Sequence, residues 1–175
     1  MLGVANLEIR PAVGEEAAHP ELSPAELVRA LSLAKAREVA ETTGAGPEDV
    51  VIGADTVVSL DGAVLGKPHD AADAARMLRA LSGRTHTVFT GVTVLRGGET
   101  LCRAEETRVR FRALSDGEIA RYIASGEPMD KAGAYGAQGL ASLFVEGLEG
   151  DFFNVMGLPL CLLGRMLHEL GVELI

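Results

Sequence analysis

Asp55 is the residue of this sequence that points most directly to chemistry. It lies in the run VVIGADTVVSL, whose apolar residues predict a buried strand over residues 50–60. A buried carboxylate costs free energy unless a cation, a metal ion, a catalytic role or backbone amides compensate it. A catalytic carboxylate and an Asp hydrogen-bonded at a strand bulge are equally compatible with the local sequence. Thr56 follows directly and should face the other side of the strand.

The three lysines are the next candidates, because the other 13 basic residues of the chain are arginines. Lys35 falls on the apolar side of a predicted helix, where it extends to solvent, pairs with Glu38 or meets a buried anion. The local sequence favours the pair with Glu38. Lys67 follows Gly66 and precedes Pro68, which suits a rigid loop that presents one cation. A solvated surface turn is the commoner meaning of such a segment.

Lys131 lies in a glycine-rich segment, DKAGAYGAQG, over residues 130–139. The segment is not a Walker loop, because the lysine precedes the glycines and no Gly-Lys-Ser/Thr follows. Backbone amides beside glycines can bind anions, and Gln138 carries a donor and an acceptor that could bind a base edge. An irregular connection without a ligand remains the alternative for this segment.

Composition narrows the class of protein. The 175 residues suffice for one domain over residues 1–175, and the 47% of hydrophobic residues exclude a disordered chain. A net charge of −9 argues against a nucleic-acid partner. No apolar stretch is long enough for a membrane span, and MLGVANLEIR does not resemble a secretory signal. Cys102 and Cys161 have no metal-ligand spacing, so we expect a cytoplasmic protein.

Capping and turn signals delimit the elements. Ser23-Pro24-Ala25-Glu26 predicts a helix over residues 24–42, and Ser115 with Glu118 predicts one that ends near residue 125. The other predicted elements are strands at 7–11, 50–60, 63–65, 84–95, 99–111 and 144–145, and helices at 71–81 and 154–170. The two long strands meet at a Gly-Gly turn and should be antiparallel. We therefore predict an α/β fold with a mixed sheet flanked by helices.

Two other polar groups have ordinary structural explanations. His86 lies in a predicted strand with no second His or Cys at ligand spacing. Arg108, Arg110 and Arg112 alternate with apolar residues and predict the solvated face of a strand.

Six segments occur in an order that resembles the Maf family of nucleoside triphosphate pyrophosphatases, also called septum formation proteins. They are LSLAKA, GADTVV, LGKP, MLRALSGRTHTVFTGV, GEPMDKAGAYGAQG and NVMGLPL. The resemblance implies a Maf-like fold and a metal-dependent hydrolase that releases pyrophosphate from a nucleoside triphosphate. The YGAQG form is similar to the branch that acts on dTTP and UTP, and modified nucleotides stay open as further substrates.

The resemblance also implies roles for individual residues. Asp55 matches the proton acceptor, and Lys35 and Lys67 match lysines that contact phosphates. Thr56 and Gln138 match positions of substrate choice, and Lys131 falls in a substrate-binding motif. Glu16, in a predicted loop over residues 12–22, matches an acidic position near the metal, with Asp55 as its other ligand. Mg²⁺, Mn²⁺ and Co²⁺ are the candidate ions, and a homodimer is the expected assembly.

One departure from the family concerns the beginning of the sequence. The family opens with a strand and a Ser-x-Ser-Pro-Arg-Arg turn, whereas residues 1–4 here align with the end of the first helix. We therefore expect a domain that lacks the usual first strand and most of the first helix. Two alternatives follow: a nucleotide-binding or regulatory protein with impaired catalysis, or a true start that lies upstream.

Overall fold

A five-stranded sheet organises the molecule. The computed structural model describes residues 7–13, 19 and 21–174. The strands are β1 (Val51–Leu60), β2 (Ala63–Leu65), β3 (Thr85–Arg96), β4 (Glu99–Phe111) and β5 (Val145–Glu149). Their order across the sheet is β2-β1-β3-β4-β5, and every described pair is antiparallel.

Helices cover both faces of this sheet, which confirms the predicted α/β fold, although the sheet predicted to be mixed is antiparallel in every described pair. They are α1 (Pro24–Thr43), α2 (Ala71–Leu81), α3 (Asp116–Ala124), α4 (Phe152–Val155) and α5 (Leu160–Glu169). Three short 3-10 helices span Glu127–Asp130, Ala132–Ala134 and Leu140–Phe144. No helix in the described ranges is long and apolar enough to cross a membrane.

Helix α1 packs directly on β1 and β3 because two glycines clear its path. A Cβ atom on Gly91 would overlap the backbone of Val28, and one on Gly53 would lie 2.9 Å from the Cβ of Ala36. The helix begins at the predicted capping box of Ser23 and ends at Gly44, whose φ of 64° is left-handed. This close packing places Lys35 of α1 beside β1.

The opposite face of the sheet carries the main hydrophobic core. Side chains of α2 and α3 pack there against β1, β3 and β4, and α5 packs in a second cluster on β3. His86 is buried in the larger cluster, where its ring lies 5.0 Å from that of Phe111. Arg108 and Arg110 point to solvent, as the alternation predicts, while Arg112 follows the end of β4 and is half-buried.

Most predicted elements are confirmed within one or two residues, the short strand predicted at 144–145 continues to Glu149 as β5, and two predictions are wrong. Residues 7–11 form no strand, because no described strand lies beside them to supply hydrogen bonds. The helix predicted over residues 154–170 is two helices, α4 and α5. Gly157, with a φ of 102°, ends the first, and Pro159, which has no backbone N–H, precedes the second. Glu16 and most of the loop predicted over residues 12–22 lie outside the described residues.

Candidate active site

A cleft of about 1640 Å³ opens beside the edge of the sheet at β1. Strand β2 pairs only with the last three residues of β1, so in the described structure the earlier part of β1 borders this space instead. Every candidate residue in the described ranges lines the cleft: Lys35, Asp55, Thr56, Lys67, Lys131 and Gln138. The fold therefore collects residues that are up to 103 positions apart in the sequence.

Lys35 and Asp55 form an ion pair at the floor of the cleft. Nζ of Lys35 lies 2.5 Å from Oδ1 of Asp55, and the two side chains are 29% and 10% exposed. Of the three possibilities given by the sequence (extension to solvent, a pair with Glu38, or contact with a buried anion), the structure shows the contact with a buried anion. A positive neighbour stabilises the charged carboxylate, which is the form that can accept a proton.

Thr56 faces the other side of β1, as the alternation of a strand predicts. Its Oγ1 lies 2.9 Å from Oγ1 of Thr90 on β3. Gly157 lies close to it, since a Cβ on this glycine would be 3.4 Å from the threonine Oγ1. The cleft thus presents the Lys35–Asp55 ion pair on the α1 side of β1, and the uncharged Thr56 and Gly157 on the other side.

Lys67 and Lys131 come from two loops that are bonded to each other. The amide of Gly133 donates to the carbonyl of Gly66 at 3.0 Å, and the φ of Gly133 is 67°. Lys131 donates to Asp130 at 2.7 Å. This hydrogen bond, with a weaker contribution from the charge of Lys67, lowers the pKa of the Asp130 carboxyl. The two loops therefore present their lysines on one wall of the cleft.

Glu127 and Tyr122 hold the glycine-rich segment in place, a role that the sequence analysis did not foresee. Oε1 of Glu127 accepts from the Tyr122 hydroxyl at 3.0 Å, and Oε2 accepts from the amide of Leu140 at 3.0 Å. The amide of Gly136 donates to the Tyr122 hydroxyl at 3.1 Å. A Cβ on Gly139 would overlap the Glu127 carboxylate. The only sequence signal for this role was that Glu127 is an acidic residue three positions before Asp130, at the start of the glycine-rich segment.

The glycines at 136 and 139 therefore make room for protein side chains. A Cβ on Gly136 would lie 2.7 Å from Cε of Lys131, so this glycine lets the lysine stem pass beside the backbone. Gln138, between these glycines, is exposed on the cleft wall. Its amide is therefore accessible to a ligand.

Tyr135 joins the cleft to the core. Its hydroxyl lies 2.8 Å from Nε2 of His86, and burial raises the pKa of this phenol. Burial also lowers the pKa of His86 from 6.5 to about 4, so the imidazole is neutral at pH 7. His86 is a structural residue of the core in this arrangement, as its isolation in the sequence indicates.

The donor set of the cleft suits a hard cation that arrives with a phosphate ligand. Among the described residues, no group of three or more His, Cys, Asp and Glu side chains could hold a metal ion alone. Magnesium commonly binds through one or two carboxylates together with substrate phosphates. Asp55 supplies one carboxylate at the cleft floor. The role of Glu16 as a second ligand stays a prediction, because this residue lies outside the described ranges.

The sequence matches one protein family and several named relatives. Residues 1–170 match the family described as Maf-like protein. The chain is 52% identical over 161 residues to a dTTP/UTP pyrophosphatase of Symbiobacterium thermophilum, covering 92% of this chain and 81% of the relative. It is 53% identical over 169 residues to a protein of the same name from Moorella thermoacetica, with 94% and 84% covered. Both the match and the ordered motifs around the cleft show that this chain belongs to the Maf family.

Proposed function

We propose that this protein is a nucleoside triphosphate pyrophosphatase that hydrolyses dTTP and UTP to the monophosphate and pyrophosphate. The observation that carries the proposal is the meeting of all three lysines with Asp55 in one cleft. A triphosphate has about four negative charges at neutral pH and needs such cations in an otherwise acidic protein. The relatives named dTTP/UTP pyrophosphatase support the choice of substrate.

Asp55 is the proposed proton acceptor. A water molecule attacks the α-phosphorus, its oxygen forms the new P–O bond, and its proton passes to the Asp55 carboxylate. The bond between the α-phosphorus and the bridging oxygen breaks, and pyrophosphate leaves with the electron pair. Lys35 orients the carboxylate through their ion pair, while Lys67 and Lys131 offset the charge of the leaving group.

Asp55 and Glu16 are the proposed ligands of a divalent ion, with Mg²⁺, Mn²⁺ and Co²⁺ as candidates. Bound with the triphosphate, such an ion would neutralise phosphate charge and polarise the phosphoryl oxygens. The protein residues keep their own tasks: the lysines bind phosphates, and Thr56 and Gln138 contact the base. Their positions on the cleft wall support this assignment.

We also propose a cytoplasmic homodimer built from a single domain. The exposed Phe152 and Phe153 of α4 supply apolar surface that a dimer would cover. Light scattering during size-exclusion chromatography measures the mass directly. A monomer at micromolar concentration would contradict the proposed assembly.

Pyrophosphate release from dTTP and UTP tests the activity, with each of the three ions supplied in turn. The Asp55→Asn variant should lose about 100-fold or more in kcat, because its amide cannot accept the proton. Asp61→Asn is the matched control, since Asp61 lies in the exposed β1–β2 turn and pairs with Arg84. Calorimetric binding of UTP without product formation by the unaltered chain would instead support the nucleotide-binding alternative.

A further inference from the structure

We propose that Thr90, a buried residue behind the cleft, makes Thr56 an obligate hydrogen-bond acceptor and so favours bases that present an N–H at this point. Uracil and thymine present such a donor at N3, whereas the N3 of cytosine is itself an acceptor. The inference rests on the proposed function and deepens it, because it assigns a positioning role to a residue that lies outside the cleft lining.

The proton of the Thr90 hydroxyl is committed to the protein interior. Thr90 is fully buried, and its Oγ1 donates to the backbone carbonyl of Asn154 at 2.9 Å. A carbonyl oxygen only accepts, and a hydroxyl carries a single proton. Oγ1 of Thr90 therefore faces its other neighbour, Thr56, with a lone pair.

Thr56 must then donate to Thr90. The two Oγ1 atoms lie 2.9 Å apart, and distance alone allows either hydroxyl to donate. Because the proton of Thr90 points to Asn154, the proton of Thr56 points to Thr90. What Thr56 offers the cleft is therefore its remaining lone pairs, which accept a hydrogen bond from a ligand and cannot donate one.

The side chain of Asn154 fixes the position of the backbone carbonyl that accepts from Thr90. Its Nδ2 donates to the carbonyl of Val88 at 3.1 Å and to Oγ1 of Thr107 at 2.9 Å. The side-chain atom of Asn154 that faces the carbonyl of Val88 must be the nitrogen, because an oxygen at this position would be repelled by the carbonyl oxygen. Thr107 is itself bonded to the backbone of Asp151. Asn154 thus anchors α4 to β3 and β4 and holds the carbonyl that accepts from Thr90.

The position of Thr56 assigns its acceptor to the base. Lys35 and Asp55 lie on the other side of β1, so the attacked α-phosphorus belongs there, while Lys67 and Lys131 on the neighbouring wall can contact the leaving phosphates. On the Thr56 side, the cleft wall includes Val155, Met156 and Gly157, which carry no charge. A pyrimidine can lie against this wall, where its N3–H can donate a hydrogen bond to the hydroxyl oxygen of Thr56.

The test is the preference for UTP over CTP, measured as the ratio of their kcat/KM values. Thr90→Val keeps the shape but frees Thr56 to turn its proton into the cleft, where it can pair with the N3 of cytosine. We expect the ratio to fall by about tenfold, the value of one hydrogen bond of about 1.4 kcal/mol. Thr90→Ser, which retains the hydroxyl, should restore the ratio of the unaltered protein.

Thr93→Val is the matched control for stability. Thr93 is equally buried on β3, but its hydroxyl bonds to Ser32 on the α1 face, 3.0 Å away. Removing it should lower the free energy of unfolding and leave the UTP-to-CTP ratio unchanged. A folded Thr90→Val variant with an unchanged ratio, or a Thr93→Val variant with a ratio altered to the same extent, would overturn the inference.

Binding of UMP and CMP by calorimetry separates the inference from the proposed activity. If the protein does not turn over UTP, the proposed function fails, yet the same change in relative affinity is still expected in Thr90→Val. Equal binding of UMP and CMP by the unaltered protein would overturn the inference, whether or not the protein is an active pyrophosphatase.

Discussion

The ion pair between Lys35 and Asp55 should stabilise the fold as well as orient the carboxylate proposed to accept a proton. Both side chains are largely shielded from water, so removal of one charge takes a close opposite charge away from the other. We expect Lys35→Met to lower the free energy of unfolding by about 1–3 kcal/mol, as for a buried group that loses its partner. The double variant Lys35→Met/Asp55→Asn should be more stable than Lys35→Met alone, because it also removes the buried carboxylate charge that the lysine balances. Urea unfolding of the unaltered protein, Lys35→Met, Asp55→Asn and the double variant measures this double-mutant cycle. If the effects of the two single substitutions simply add, the two charges do not interact.

The candidate residues could be identified from the sequence, whereas their partners could not. Asp55 and the lysines stand out by type and by their neighbours in the sequence. The contact between Lys35 and Asp55 spans 20 positions and depends on how α1 lies across the sheet. Glu127 escaped notice for the same reason, since its partners Tyr122 and Leu140 meet it only after the 3-10 helices have formed.

Helix α1 determines where Lys35 is placed, and its distance from the sheet depends on Gly91. We expect Gly91→Ala to destabilise the protein by about 1–3 kcal/mol, because the added methyl group overlaps the backbone of Val28. It should also lower pyrophosphate release by moving Lys35. Gly164→Ala in α5 makes the same chemical change where nothing lies within 4 Å, and should be neutral or stabilising by about 0.5–1 kcal/mol. Thermal unfolding and activity assays measure both variants, and equal effects would contradict this account of α1 packing.

Elements with local signals were predicted well. Ser23 and Ser115 form the capping boxes that their sequences indicate, and the Asp61-Gly62 turn joins β1 to β2. The errors arose where tertiary context decides. An alternating segment at residues 7–11 forms no strand without a neighbouring strand, and an apolar run around Gly157 and Pro159 was assigned to one helix although its backbone changes direction.

Across the whole molecule, the core that supports the cleft is built around a neutral histidine, which makes stability depend on pH. His86 has a pKa lowered from 6.5 to about 4 by burial. Between these values the unfolded chain binds a proton that the folded protein refuses, so stability is complete above pH 6.5 and falls as the pH drops toward 4. The loss attributable to His86 is about 3 kcal/mol, from 1.36 kcal/mol per pKa unit.

His86→Gln should flatten this dependence. The amide does not titrate and can still bond to the Tyr135 hydroxyl, so the variant should lose less stability than the unaltered protein between pH 6.5 and 4.5. His69→Gln, at an exposed position, is the control and should keep the original slope. Urea unfolding at several pH values within this window measures the three slopes. Equal slopes for all three proteins would contradict this prediction. The acid sensitivity of the fold would then arise from its carboxylates and not from protonation of His86.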